Sequence, residues 1–273
     1  MTGTGRTFEE RYFGGAELYG DDLTGDGLEA WFEDEREGYA DLDHGAGERP
    51  YEYHVLNDLH GWRHLPPGPL GDVLGVGSAF GLEFETLADR LGTLTILEPS
   101  AVLRSAAVDG VPVTYVAPRS SGTLTFAQGS FDLTVGLGVL HHIPNVSHVF
   151  AEMVRVTRTG GHIVVREPIV SMGDWRRPRP GLTRHERGLP LPWFRSLIAA
   201  QDVRVVHEGL CMFPVTRRLH GYNSPVAVRL DAAVSRLVAP NYTYHARSRW
   251  QKVRPGSLFV VLEKTGAGGA RDG

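Results

Sequence analysis

The sequence predicts an α/β protein built on an open, doubly wound sheet, and three observations carry that prediction. From Leu70 onward, short apolar runs alternate with helical stretches. These runs lack the polar alternation of half-exposed strands, as expected for parallel strands covered on both faces. The first run, Asp72–Val76, opens into the glycine-bearing turn Gly77–Gly81 and then a helical pattern, the strand–turn–helix unit from which parallel sheets are wound.

Taken in order, the strands are expected at Asp72–Val76, Leu94–Leu97, Val111–Val116, Phe131–Leu137, Gly161–Arg166, Val203–Val206 and Ser257–Leu262. Helical patterns follow the glycine turn to about Leu91 and recur at Pro99–Ala107, Val146–Thr157 and Pro192–Ala200. Upstream, residues 1–68 read as an N-terminal helical cap or arm, with helices at Glu29–Tyr39 and Tyr51–Trp62. In the second helix Tyr51, Val55, Leu59 and Trp62 share a face, either as a core stripe or as a cap over a pocket. Pro66, Pro67, Gly68 and Pro69 mark the entry to the main unit, residues 69–264. Residues 171–190 are an irregular Arg/Pro-rich loop and 209–256 exceed what a hairpin needs, so they read as an insertion. The Gly-rich residues 265–273 read as a disordered tail.

Composition narrows the setting. With 273 residues, 41% of them hydrophobic, the chain can bury a full core. Cys211 is the single cysteine, which excludes an intrachain disulfide and suits a reducing compartment. The first residues have no signal-peptide core, and no apolar run approaches the ~20 residues that span a bilayer. A cytoplasmic protein without membrane contact is expected, and a homo-oligomer is compatible with the sequence. Charge is uneven: residues 1–50 hold 14 acidic and 4 basic side chains, residues 171–255 hold 5 and 15. Either an acidic arm packs on a basic lobe, or an Arg-rich rim attracts an anionic substrate. The excess is spread along the segment and attached to no nucleic-acid motif, which argues against nucleic acid.

The chemistry concentrates in three segments. In Val73–Phe84, Gly77 permits a tight turn and Gly81 lets backbone approach a ligand. The next strand ends at Glu98 and Pro99, 17 residues beyond Gly81 for the carboxylate. A carboxylate at the carboxyl end of a strand can accept both hydroxyls of a ribose. The third segment, Gly129–Pro168, carries Phe131–Asp132 before a strand, Leu140–His141–His142 after it, Glu152 with Arg155–Val156 in a helix, Gly160–Gly161, and a last strand at Ile163–Val165. Together these motifs resemble the class I S-adenosylmethionine-dependent methyltransferases, over residues 70–168 with 206 as the outer limit. The resemblance implies a Rossmann-like seven-stranded methyltransferase sheet with S-adenosylmethionine as cofactor. It places the cofactor on Gly75, Gly77, Ser78 and Gly81, on Glu98 and Pro99, and on the backbone at Leu137, Gly138 and Leu140. The chain departs from the pattern at Gly75, where the family has an acid, at Ala79, where it has glycine, and at Ala117–Pro118–Arg119, which lacks the acid near the adenine. Backbone around Gly122–Leu124 is the expected substitute.

Methyl transfer needs an oriented acceptor and, for a hydroxyl, a proton acceptor. His141, His142 and Glu167 are the candidates, and each histidine has the alternative of capping or packing. Asp174, Trp175, Arg176, Arg177 and His185 follow the fifth strand and suit a sugar or phosphate acceptor, or a loop held by packing. No metal is expected, because the histidines show no ligand spacing and adjacent His141 and His142 chelate poorly. The expected activity is methyl transfer to a small-molecule hydroxyl, on a sugar, nucleotide-sugar or other polyhydroxylated metabolite. The rival readings are a methyltransferase-like protein that has lost methyl transfer, and an RNA or protein methyltransferase.

Overall fold

In the computed structural model, residues 6–42, 51–216 and 221–266 are described. They form one sheet with strands β1 Gly71–Val76, β2 Leu91–Leu97, β3 Ala107–Val108, β4 Val111–Val116, β5 Phe131–Leu137, β6 Thr157–Pro168, β7 Val203–Cys211 and β8 Ser257–Lys264. The spatial order is β3-β4-β2-β1-β5-β6-β8-β7. Strands β4, β2, β1, β5 and β6 run parallel, while β8 is antiparallel to both β6 and β7. The chain reverses direction in space at β1, between β2 and β5, and this crevice is where ligands bind in open α/β sheets.

The seven expected strands are present, and the eighth is a two-residue edge strand. Asp109 and Gly110 turn the chain so that Val108 pairs with Val111. The helices are α1 Asp26–Leu42, α2 His54–His60, α3 Val146–Val156, α4 Leu191–Ala199 and α5 Pro225–Leu237. Strand residues alternate between two cores. Leu74, Ile163 and Val260 pack on α3 and α4 with Phe150, Met153 and Phe194. Val73, Val164 and Val261 pack with Leu56, Trp62, Phe84 and Val228 on the opposite face.

Three local expectations differ from the structure. The segment after the glycine turn, Leu82–Arg90, is a 3-10 helix rather than an α-helix. Nine residues must run back the length of β1, and a rise of about 2.0 Å per residue covers that distance where 1.5 Å does not. Pro99–Ala107 forms no helix. Instead Arg104 donates to the Glu98 carbonyl, and Ser105 Oγ to the Phe80 carbonyl at 3.0 Å, which ties the segment to the glycine turn. In α2 the buried face is Leu56, Asn57 and His60, so the stripe of Val55 and Leu59 is only half-buried. Two of those three residues are polar, which hides the face from a reading by hydrophobicity. Of the expected tail, residues 267–273 lie outside the described residues. No helix among the described residues is long and apolar enough to cross a membrane.

Ala79 has φ 43°, a left-handed conformation that costs an L-residue about 1–2 kcal/mol. It is held there by its N–H on Glu98 Oε2 at 3.2 Å and its carbonyl accepting from Tyr115 Oη at 2.8 Å. Ala79→Gly is therefore expected to stabilise the fold by about 1 kcal/mol, after the greater unfolded-state entropy of glycine is counted. Thermal unfolding should register this as a rise of roughly 2–4 °C, and a fall in melting temperature would contradict the account.

Candidate active site

The carboxyl ends of β1, β2 and β5 open onto a cavity. Its floor is Val76 and Gly77, and one side is Leu97, Glu98, Pro99 and Ser100. Gly77 donates its N–H to the Leu97 carbonyl at 2.8 Å and has φ 62°. A Cβ there would overlap Val139 Cγ2, so only glycine lets the turn lie under the segment that follows β5. Glu98 is buried, with Oε1 accepting the Ser100 N–H at 2.8 Å and Oε2 the Ala79 N–H. The far wall is backbone and apolar surface: Pro118, Gly122, Leu124, Ile143 and Val149. Phe32, Glu35 and Arg36 of α1 complete the lining.

The turn after β5 forms the other wall and is organised by one carboxylate. Glu167, at the end of β6, is fully buried. Its Oε1 accepts the N–H groups of Val139 at 2.9 Å and Leu140 at 2.7 Å, and its Oε2 lies 2.8 Å from His141 Nδ1. His141 Nε2 stands 3.5 Å from Glu186. Desolvation disfavours the imidazolium, but Glu167 and Glu186 outweigh it and push His141 up to about 9. His142 behaves oppositely. Desolvation and the charge on His141 hold it below its ordinary value, against the pull of Glu35, whose Oε2 is 2.8 Å from His142 Nδ1. His142 lines the first cavity. His141 lines a second one, with Glu186, Arg166, Tyr53, Leu137, Met172, Met212 and Tyr222. Gly138 belongs to both.

Known proteins with this sequence pattern and fold agree in kind. A methyltransferase-domain family model matches residues 74–165. The chain is 30% identical over 146 residues to an uncharacterised methyltransferase from Mycobacterium sp. (strain JLS), covering 53% of this chain and 54% of that protein. It is 28% identical over 152 residues to the 2-methyl-6-phytyl-1,4-hydroquinone methyltransferase of Synechocystis sp., covering 54% and 43%. The chain thus matches about half the length of these curated relatives. In fold it is similar to the [4+2]-cyclase SpnF, with a TM-score of 0.53 at 17% identity over 85% of this chain and 97% of that one. Residues 74–165 are thus similar to a methyltransferase domain, and the fold around them is one that S-adenosylmethionine-dependent methyltransferases share.

The cofactor of such methyltransferases is S-adenosylmethionine, and the residues of this chain fit it. The cradle over Gly77 is one that a Cβ would fill. A buried carboxylate stands at the end of β2, and an apolar slot lies between Leu124, Val149 and Ile143. Backbone at Gly122–Leu124 lines that slot, where the sequence reading looks for a substitute for the missing acid.

Of the other cofactor residues read from sequence, Pro99 and Gly138 line the first cavity and Leu137 the second. Gly75, Ser78, Gly81 and Leu140 line neither. Gly75 leaves room for Ser78 Oγ, which would stand 2.5 Å from a Cβ there, and Gly81 packs on Ile96 and Val108. Leu140 is fully buried and meets Glu167 through its N–H. The five acceptor-binding residues read from sequence are placed elsewhere. Trp175 is buried among Phe13, Tyr19 and Tyr244, and its Nε1 donates to the Ser171 carbonyl. Arg176 grips Asp174 and reaches Glu9 at 2.9 Å, while Arg177 is 82% exposed. His185 stacks on Trp31 and bonds Asp34. Arg176, Arg184 and His185 thus join the acidic arm to the basic loop, the packing alternative, and none of these residues lines either cavity.

Sequence reading misses Glu35, Arg166 and Glu186. The first lies in a helix read only as arm, the second reads as strand interior, and the third sits in a loop 44 residues from His142. It also expects no metal site, whereas ligand atoms of His141, His142 and Glu186 gather within 4.8 Å of one another, the one such group among the described residues. No spacing along the chain reports that convergence.

Two substitutions test the cofactor pocket. Glu98→Ala removes a charged acceptor worth about 1.5–3 kcal/mol, so S-adenosylhomocysteine should bind roughly 10- to 100-fold more weakly by calorimetry. Gly77→Ala should abolish binding, because its Cβ displaces Val139 from the wall. Unchanged affinity in either variant would remove that residue from the pocket.

Proposed function

We propose that the protein methylates a hydroxyl oxygen of a small-molecule acceptor bound in the second cavity, as a cytoplasmic enzyme. One observation carries this reading: His141, aligned by the buried Glu167, lines the second cavity at the turn whose Gly138 also borders the cofactor cavity. When bound, S-adenosylmethionine supplies an electrophilic methyl group on a sulfonium. The chain's own task is to place a hydroxyl against it and receive the proton. Glu167 at Nδ1 directs the other nitrogen of His141, Nε2, toward Glu186 and the cavity. An imidazole fixed in this way is a general base with its tautomer set by a buried carboxylate. Because Glu186 shares the proton at Nε2, it must yield that position to the acceptor.

The cavity lining refines the acceptor. Tyr53, Tyr222, Met172, Met212 and Pro214 offer aromatic and thioether surface. The Arg-rich rim that favoured a sugar phosphate is paired with the acidic arm instead. We therefore favour a hydroxyl on a largely apolar or aromatic body, with a polyhydroxylated acceptor second. The hydroquinone in the name of the Synechocystis relative is consistent with that order. The fold is also that of a protein named as a cyclase, so a role without methyl transfer is the rival reading. Formation of S-adenosylhomocysteine with an acceptor panel separates the two, since a non-methylating protein leaves the cofactor intact.

The pH dependence follows from His141. Its raised pKa means that the free base is scarce at neutral pH, so kcat/KM should increase through about 9. Glu186→Gln removes one group that favours the imidazolium and should shift the profile to lower pH. His141→Ala should lower kcat by about 10²–10⁴-fold and flatten the profile. A profile that still rises near 9 in the alanine variant would assign the base elsewhere.

A further inference from the structure

The basic residues that follow β6 divide into two groups. Arg176, Arg184 and His185 are paired with acids, Arg176 with Asp174 and Glu9, the other two with Asp34. His245, Arg249, Lys252 and Arg254 form no ion pair among the described residues. All four line a third cavity, and no Asp or Glu lines it with them. Asp174 is close enough to be felt by His245, but its carboxylate is already gripped by Arg176 at 2.8 Å.

Arg254 differs from an ordinary surface cation. It is 7% exposed, yet its guanidinium makes one hydrogen bond among the described residues, from Nη1 to the Thr243 carbonyl. Arg187, also buried, instead engages Nε and both Nη atoms on backbone carbonyls. A guanidinium presents a planar fork of N–H donors that matches an oxyanion, and a buried one without a counter-charge is destabilising. Arg249 and Lys252 add exposed positive charge at the same cavity. This third cavity adjoins the second, since Val170, Met172, Pro214 and Gly256 line both. Met172 has φ 59°, a conformation that L-residues seldom adopt and that clusters at ligand sites.

We propose that the acceptor spans the two cavities, with its hydroxyl-bearing aromatic or apolar body in the second and an anionic group, a phosphate or a carboxylate, in the third on Arg249, Lys252 and Arg254. The inference rests on the acceptor site proposed above and adds a charge to the acceptor that the lining of that site favours. Arg254 supplies the buried fork, and Arg249 and Lys252 draw the anion toward it.

The test uses acceptors with one body and different charge: naphthalene-2,6-diol, 6-hydroxy-2-naphthoate and 6-hydroxy-2-naphthyl phosphate. Each is titrated calorimetrically, with S-adenosylhomocysteine present, into the wild-type protein, the double variant Arg249→Ala/Lys252→Ala and Arg254→Gln. Formation of S-adenosylhomocysteine from S-adenosylmethionine is measured with the same compounds. A charged acceptor should bind the wild-type protein about 10- to 100-fold more tightly than the diol, and the tighter of the two charged compounds identifies the anion. The double variant changes only exposed side chains. It should lose about 10-fold in affinity for the charged acceptor and none for the diol, and added salt should weaken the charged acceptor alone. Arg254→Gln should show the same selectivity with a larger loss. Equal wild-type affinity for all the compounds, or binding of none, overturns the proposal, and methylation of the diol in that case leaves the acceptor-site reading standing. A preference for charge without S-adenosylhomocysteine formation keeps the anion site and removes methyl transfer. Parallel loss of diol and charged acceptor in the double variant makes the basic group a structural support and overturns the proposal too.

Discussion

The site depends on the carboxylate of Glu167. It takes three backbone N–H groups and an imidazole into a fully buried position, and in doing so it fixes the turn from Val139 to His141. That turn is one wall of the cofactor cavity and one wall of the second cavity. A carboxylate buried without donors would be very costly, whereas one that accepts four hydrogen bonds is a stable junction. Removing it would release the wall, the histidine and the position of Val139 over Gly77 together. Glu167 is thus a positioning residue, and the proton chemistry falls to the histidine it aligns.

The surrounding charges make sense around that junction. Arg187 is fully buried, and its Nε and two Nη atoms donate to the carbonyls of Tyr19, His141 and Pro144. It therefore ties the first residues of the arm to the turn after β5 while adding positive charge beside Glu35 and Glu167. Trp31 adds a second tie by donating to the His142 carbonyl at 2.8 Å. The arm is closed over the cofactor cavity by backbone carbonyls of the same turn that Glu167 holds from beneath. An acidic arm on a basic loop, with Arg184 and His185 on Asp34, supplies the outer layer of this closure. Such exposed pairs each contribute little, so the buried Arg187 and Trp31 carry most of the attachment.

The legibility of this molecule in its sequence follows from what each level of structure requires. Central strands buried on both faces are apolar runs, so β1, β5, β6 and β8 are plain in the sequence, while β4 and β7 are recognised by their β-branched residues. Glycines forced by backbone geometry, such as Gly77, are equally plain. Residues whose position depends on convergence are not. Glu186 reaches His141 from the loop before α4, and Glu35 reaches His142 from a helix more than 100 residues earlier. Arg166 and Glu167 are neighbours on one strand, yet their side chains serve different surroundings, Glu167 the turn from Val139 to His141, Arg166 Tyr53 and Asn57. A strand reading explains why they alternate but not what each face contains. The loop 174–185 misleads for a related reason: Trp and Arg suit a ligand and suit a protein surface equally, and here an acidic arm of the same chain takes the place of the ligand.

The departures at the glycine loop show how the fold tolerates an altered motif. Ala79 keeps the left-handed backbone that glycine would adopt freely, held there by donating its N–H to Glu98 and accepting from Tyr115 Oη. The loop geometry is therefore imposed by its neighbours and does not depend on glycine at that position. Position 75 differs in kind. There the side chain is excluded, because Ser78 and Phe84 occupy the space, so an acid could return only if both moved. The first departure leaves the pocket's shape intact at a modest cost in strain. The second removes a charge from the end of β1, where Glu98 of β2 remains as the buried carboxylate bonded to the loop.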